Sequence, residues 1–114
     1  MPRDINGNPD NVIFIDRFTV PANAVNEFLA RVKINRDLIK ALPGFVRDAA
    51  YSYTDNEGKL VFVTVAVWSN KAAFEQAKET VQAAYKKEGF DMPAMLKRLN
   101  INIERGIYKE FVAQ

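Results

Sequence analysis

The segment Leu60–Trp68, LVFVTVAVW, constrains this chain more than any other. Its β-branched and aromatic residues favour an extended strand. Leu60, Phe62, Thr64, Ala66 and Trp68 alternate with Val61, Val63, Val65 and Val67, so both faces of that strand are almost wholly apolar. A sheet with one wet face shows apolar–polar alternation; a strand that lacks it has to be covered twice. At 114 residues the chain has room for one domain and one core. Helices of the same chain can cover one face, and a second subunit is the expected cover for the other.

The rest of the sequence supplies those helices and three more strands. Residues 1–11, with two Pro, a Gly and three Asn, read as a flexible N-terminal arm before a single domain over 12–114. Val12–Phe18 (VIFIDRF) reads as a strand with Val12, Phe14, Asp16 and Phe18 on one face and Ile13, Ile15 and Arg17 on the other. Pro21 ends it. Val25, Phe28, Leu29, Val32, Ile39 and Leu42 then recur at helical spacing, predicting a helix over about 22–41 whose stripe is interrupted at Asn35 and Arg36. Leu42-Pro43-Gly44 stops that helix.

Phe45–Asp55 reads as the second strand, with Tyr51 and Tyr53 on one face, and Asp55-Asn56-Glu57-Gly58 as a hairpin turn into Leu60–Trp68. Ser69 or Asn70 caps a helix to about Glu88, striped by Phe74, Ala77, Val81, Ala84 and Tyr85. Asp91 caps a short helix from Met92 to about Asn100, and Ile101–Val112 reads as the last strand. The order β-α-β-β-α-(α)-β is the split βαβ of a ferredoxin-like α+β domain, an antiparallel sheet with helices on one face.

Composition removes several function classes. Sixteen basic against fourteen acidic residues, well dispersed, give a net charge of +2, too little for a surface that tracks phosphates, so no nucleic-acid partner is expected. No apolar run approaches the roughly 20 residues that span a bilayer, and the start shows no apolar signal core, so no membrane association and a cytoplasmic location are expected. There is no Cys and no His. Disulfides, Cys nucleophiles and thiolate sites are therefore absent, together with the usual general base and the commonest metal ligand. The five Gly make no dinucleotide or phosphate-loop spacing, and the carboxylates are scattered rather than clustered for a metal.

Three pieces of sequence carry a resemblance: Asp16-Arg17-Phe18-Thr19-Val20-Pro21, the Leu42-Pro43-Gly44-Phe45 stop, and Val65 to Phe74 with its Trp-x-x-x-x-x-Phe strand-to-helix joint. In their order and spacing over about 12–112 the chain resembles the antibiotic-biosynthesis-monooxygenase family of dimeric α/β-barrel proteins. The resemblance implies a homodimer through the sheet face and a ligand cavity in each subunit between sheet and helices. It also implies oxygenation of a phenol or quinol with no metal or flavin, so no cofactor is expected. Haem-degrading relatives combine a first-strand Asn and the third-strand Trp with an axial His; here Asp16 stands at the Asn position, Trp68 is kept and no His exists.

Cofactor-free oxygenation asks the protein to bind an electron-rich ring, take a proton and exclude water. Asp16, between Phe14 and Phe18, is the candidate base; its bland reading is an ion pair with Arg17, Arg36 or another strand cation, or a place at a solvated sheet end. Trp68 is the candidate catalytic wall, its matching position in the family lying at the cavity. Thr64 shares the face of Trp68, where some family members carry a substrate-contacting Asn, and Thr departs from that pattern. Asn35, Tyr51 and Tyr85 are candidate substrate donors and Phe74 a candidate wall; the bland readings are an internal hydrogen bond for Asn35, core or dimer interface for the tyrosines and packing for Phe74. Two functions remain open: a monooxygenase acting on a small phenolic, quinol or polyketide-like substrate, and a non-catalytic dimeric barrel that binds a small aromatic or hydrophobic ligand.

Overall fold

Val12–Val20 forms β1, the strand around which the sheet is organised. A 3-10 turn at Ala22–Ala24 leads into α1 (Val25–Lys40), followed by β2 (Phe45–Thr54), β3 (Leu60–Trp68), α2 (Lys71–Glu88), α3 (Met92–Arg98) and β4 (Asn102–Tyr108). These elements come from a computed structural model that describes residues 8–111. All pairings are antiparallel in the order β2-β3-β1-β4, so the two most apolar strands lie in the middle. This is the ferredoxin-like architecture expected from the order of the elements.

The register decides what faces the helices. Opposite Asp16 lie Thr64 on β3 and Arg105 on β4, and Thr64 is opposite Ala50 on β2. With the two-residue period of a strand, Val12, Phe14, Asp16, Phe18 and Val20 share one face. Phe18 and Val20 join Phe28 of α1, Met95 and Leu96 of α3, and Ile101 in one buried cluster. Val12 joins Trp68, Phe74 and Ala77 in another. The polar row Thr64–Asp16–Arg105 crosses the sheet between these two clusters.

On the opposite face lie Ile13 and Ile15 of β1, Val63 and Val65 of β3, and Tyr51 and Tyr53 of β2. The valines and isoleucines there keep partial exposure, and Tyr51 and Tyr53 are 64% and 58% exposed. Val61 and Val67, on the same face, are already buried within one subunit.

Local chemistry explains the element ends. Asn70 caps α2 by accepting from Ala73 N at 2.8 Å, and Asp91 caps α3 by accepting from Ala94 N at 3.0 Å. Gly44, at φ +82°, lets the chain stop α1 and run close under the start of α2, where a Cβ would collide with that of Ala73. Ser69 N donates to Gly44 O at 2.8 Å and fixes that approach.

Several expected boundaries shift. The first helix starts at Val25, because Ala24 N is taken up by Pro21 O in a tighter turn. The second strand stops one residue earlier, at Thr54, since Asp55 turns and its Oδ1 accepts from the backbone of Glu57 and Lys59. The short helix ends at Arg98, and Asn100 leaves it at φ 58°. The last strand is shorter than expected: β4 ends at Tyr108, whose partner Ile13 is one residue from the start of β1, so pairing runs out there. Phe111, which alternation along the expected strand groups with Ile101, Ile103 and Ile107, is 89% exposed, and Val112 lies outside the described residues. Of the expected arm, residues 1–7 also lie outside them, while 8–11 form a turn closed by Asn11 N to Asn8 O at 3.0 Å. Among the described residues no helix is long and apolar enough to cross a membrane.

Candidate active site

A cavity of about 980 Å³ lies between the sheet and the helices. It forms because the row through Asp16 is too polar to close against α1 and α2 as the clusters on either side do. Its apolar walls are Phe14, Trp68 and Phe74 at one end and Phe28, Met95 and Phe90 at the other. Phe14 and Phe74 stand 5.2 Å apart, and Phe45 holds Trp68 edge-on at 5.7 Å. A volume of this size suits a drug-sized aromatic molecule.

The floor of the cavity is the Asp16–Arg105 pair. Arg105 Nε and Nη2 donate to the two carboxylate oxygens of Asp16 at 2.7 and 2.9 Å. Asp16 is buried, and this bidentate contact holds it beside Thr64. The guanidinium lies 4.9 Å from the Phe14 ring. The hydrogen bonds to Asp16 raise the Arg105 pKa further, against a smaller opposing effect of burial.

On the helix side, Arg31 is buried on α1 and fully engaged. It donates to both oxygens of Glu88 at 2.6 and 2.8 Å and through Nε to Asn35 Oδ1 at 3.1 Å. Its guanidinium lies 3.4 Å from the Phe90 ring centre and 5.0 Å from that of Tyr85. Tyr85 is held protonated: burial pushes its pKa up, and the nearby Arg31 charge only partly opposes that. A third pair, Arg36 Nε to Asp48 at 2.8 Å, lines another part of the wall.

Asp16, Asn35, Thr64, Trp68, Phe74 and Tyr85 therefore all line one cavity. Tyr51 does not. Its register opposite Val63 turns it to the other face of the sheet, where it is largely exposed, so it cannot contact a ligand in its own subunit's cavity. Of the two readings of Asp16, the strand-cation pair is present, and the cation is Arg105. Arg36, adjacent to Asn35, pairs inward with Asp48.

Sequence reasoning did not single out Arg31 or Glu88, or the pairing role of Arg105. The alternation that put Ile103 and Ile107 on the inner face also put Arg105 there, which was the available signal. Arg31 stands one helical turn before Asn35. Its acceptor Glu88 is 57 residues away, and nothing local betrays it.

Residues 11–87 match the model of the antibiotic biosynthesis monooxygenase family. The chain belongs to that family. Its fold is similar to that of SnoaB, a cofactor-independent oxygenase from Streptomyces nogalater, with 27% identity, a TM-score of 0.68, and coverage of 91% of this chain and 96% of that one. The monooxygenase ActVA-Orf6 of Streptomyces coelicolor, solved with the ligand nanaomycin D, shares the fold at 18% identity and a TM-score of 0.60, over 97% of this chain and 96% of that one. So does a dimeric ferredoxin-like protein from an uncultured marine organism, at 12% identity and a TM-score of 0.61, over 90% and 98% of the two chains. No curated protein sequence matches this chain.

Proposed function

We propose that this family member is a cofactor-independent monooxygenase acting on a small phenolic, quinol or polyketide-like ring seated in the cavity. The observation that carries the reading is the polar row on the floor of an otherwise aromatic chamber, in a chain similar to a cofactor-independent oxygenase. In this reaction the substrate supplies the electrons. Its anion reduces O2; one oxygen atom enters the ring as a carbonyl and the other leaves as water with the two substrate hydrogens.

Asp16 accepts the substrate proton through the lone pairs that Arg105 leaves free. Trp68 and Phe74 hold the ring, and Asn35 and Tyr85 flank it. Thr64 stands beside Asp16 and offers a hydroxyl to the same oxygen. The subunit works as a homodimer through the sheet face that carries Tyr51 and Tyr53, a reading supported by the dimeric relative of the same fold and by the partly exposed valines and isoleucines there.

Oxygen uptake with a panel of quinols tests the proposal. Consumption above buffer that falls at least tenfold in Asp16→Asn and in Trp68→Phe is the expected result. The Asp16–Arg105 pairing and Thr64 favour one other reading, a non-catalytic barrel. Saturable binding of the same quinols with no oxygen consumption would establish it in place of the enzyme.

A further inference from the structure

Arg105 has more donors than Asp16 can use. A guanidinium carries five N–H groups, and Asp16 takes one from Nε and one from Nη2. Among the described residues, Nη1 donates to no side-chain or backbone acceptor, although Arg105 lines the cavity. Asp16 fixes the plane of the guanidinium, and Phe14 lies alongside it at 4.9 Å, so its orientation is set before any ligand arrives.

The other two arginines of the cavity differ. Arg31 has its Nε, Nη1 and Nη2 committed to Asn35 and Glu88, and Arg36, which gives Asp48 a single bond from Nε, stands at the wall and not beside Asp16. Lys78, Lys86 and Lys97 also line the space, with Asp91 the one lining acid outside those pairs. The surroundings thus favour an anion over a neutral ring, and Arg105 is the cation on the floor with donors to spare.

We propose that Arg105, oriented by Asp16, is the oxyanion-binding residue of this cavity, and that the ring is held there as its phenolate. The proposal rests on the reading above for the class of ring. It divides the floor into two functions: Asp16 positions Arg105 and receives a proton, while Nη1 of Arg105, which Asp16 does not engage, holds the oxygen that lost it. An Arg in this role meets the anion with a positive charge as well as a hydrogen bond, whereas a Thr64 hydroxyl supplies the hydrogen bond alone.

The test uses 4-nitrophenol, an electron-poor phenol whose visible band reports its ionisation. It is titrated into the intact protein across the neutral pH range. Bound ligand is expected to ionise at least one pH unit below free ligand, a tenfold preference for the anion. Arg105→Gln should abolish that shift, and Arg105→Lys should keep part of it. Asp16→Asn should keep or enlarge it, because the guanidinium loses its competing carboxylate. The double variant Asp16→Asn/Arg105→Gln, with no unpaired charge left behind, should fold and show no shift.

Four outcomes overturn the proposal: bound nitrophenol ionising at or above the free value, the two single variants moving it in the same direction, the double variant retaining it, or no saturable spectral change in the parent protein. A parent protein that ionises bound nitrophenol yet consumes no oxygen with quinols upholds this inference and refutes the monooxygenase. Oxygen consumption without the spectral shift does the reverse.

Discussion

Arg105 and Asp16 meet across 89 residues of sequence, in a bidentate contact of 2.7 and 2.9 Å on the floor of the cavity. They come together because β1 pairs with β4 in a register that sets them opposite each other. One contact therefore ties the last strand to the first and supplies the charges that face a ligand.

Removing the guanidinium is predicted to cost more than removing the carboxylate charge. Arg105→Gln leaves the buried Asp16 carboxyl without its partner, while Asp16→Asn leaves a half-exposed cation that water can reach. Breaking a buried pair from one side costs about 3–5 kcal/mol. Because Arg105 is half exposed, about 2 kcal/mol is expected for Arg105→Gln and about 1 kcal/mol for Asp16→Asn. Urea melts at fixed protein concentration check the order, and the double variant should be more stable than Arg105→Gln alone.

Acid sensitivity is predicted to run through the helix-side pair. The hydrogen bond from Arg31 holds the Glu88 carboxyl below its ordinary value. A depressed carboxyl stabilises the fold above the unfolded-state pKa, near 4.5, and that stability is lost as pH falls through the folded-state value. Glu88→Gln should therefore flatten the decline in thermal midpoint below about pH 5, while leaving Arg31 less well anchored at neutral pH. Thermal melts from neutral pH downward read both effects; an unchanged acid limb would show that the pair has no part in it.

The fold was legible because its signals are periodic and local. The doubly apolar β3, the Pro and Gly stops and the Asx caps each depend on neighbours a few residues away, and each lies where it was expected. The faces within β1 and β3 were legible too, since alternation groups Asp16 with Phe14 and Phe18 and, separately, Thr64 with Trp68; the pairing of Asp16 with Thr64 joins the two groups. Tyr51 was misassigned because alternation groups residues without saying which face looks at the helices; only pairing opposite Val63 decides that. Arg31 and Glu88 stayed hidden for another reason. A buried Arg on a helix looks like any surface Arg until the distant α2 terminus is brought to it. The last strand was read too long because its apolar pattern continues past the point where β1 has residues to pair with it.

Gly44→Ala is predicted to damage the joint between α1 and α2. At φ +82° any Cβ costs about 1–2 kcal/mol in backbone strain, and here that Cβ also overlaps Ala73 of α2. Because Ser69 N holds this stretch by its bond to Gly44 O, the chain cannot retreat without breaking it. A loss of about 3 kcal/mol is expected, the sum of strain and forced repacking. The neighbouring Trp68 gives the reading directly, since its fluorescence should shift at temperatures where the parent protein is unchanged. Gly58→Ala, also at positive φ but with open space around it, should cost only the strain.

The sheet face opposite the cavity makes the last prediction, and Tyr51→Glu is the substitution that isolates it. In one subunit Tyr51 is 64% exposed, so a carboxylate there reaches water and should change subunit stability by no more than about 0.5 kcal/mol. If two copies meet on that face, the same carboxylate is desolvated among Val63, Tyr53 and their counterparts, and Arg17, the cation in the same cross-strand row, is already paired with Glu104. Dimerisation should weaken at least tenfold while the far-ultraviolet spectrum stays the same. Sedimentation equilibrium at micromolar concentration reads the first quantity, and the melting temperature of the variant should lose its dependence on protein concentration where the parent still shows it. A parent protein that sediments as a single subunit under those conditions would remove the dimer, and with it the explanation for a central strand that is apolar on both sides.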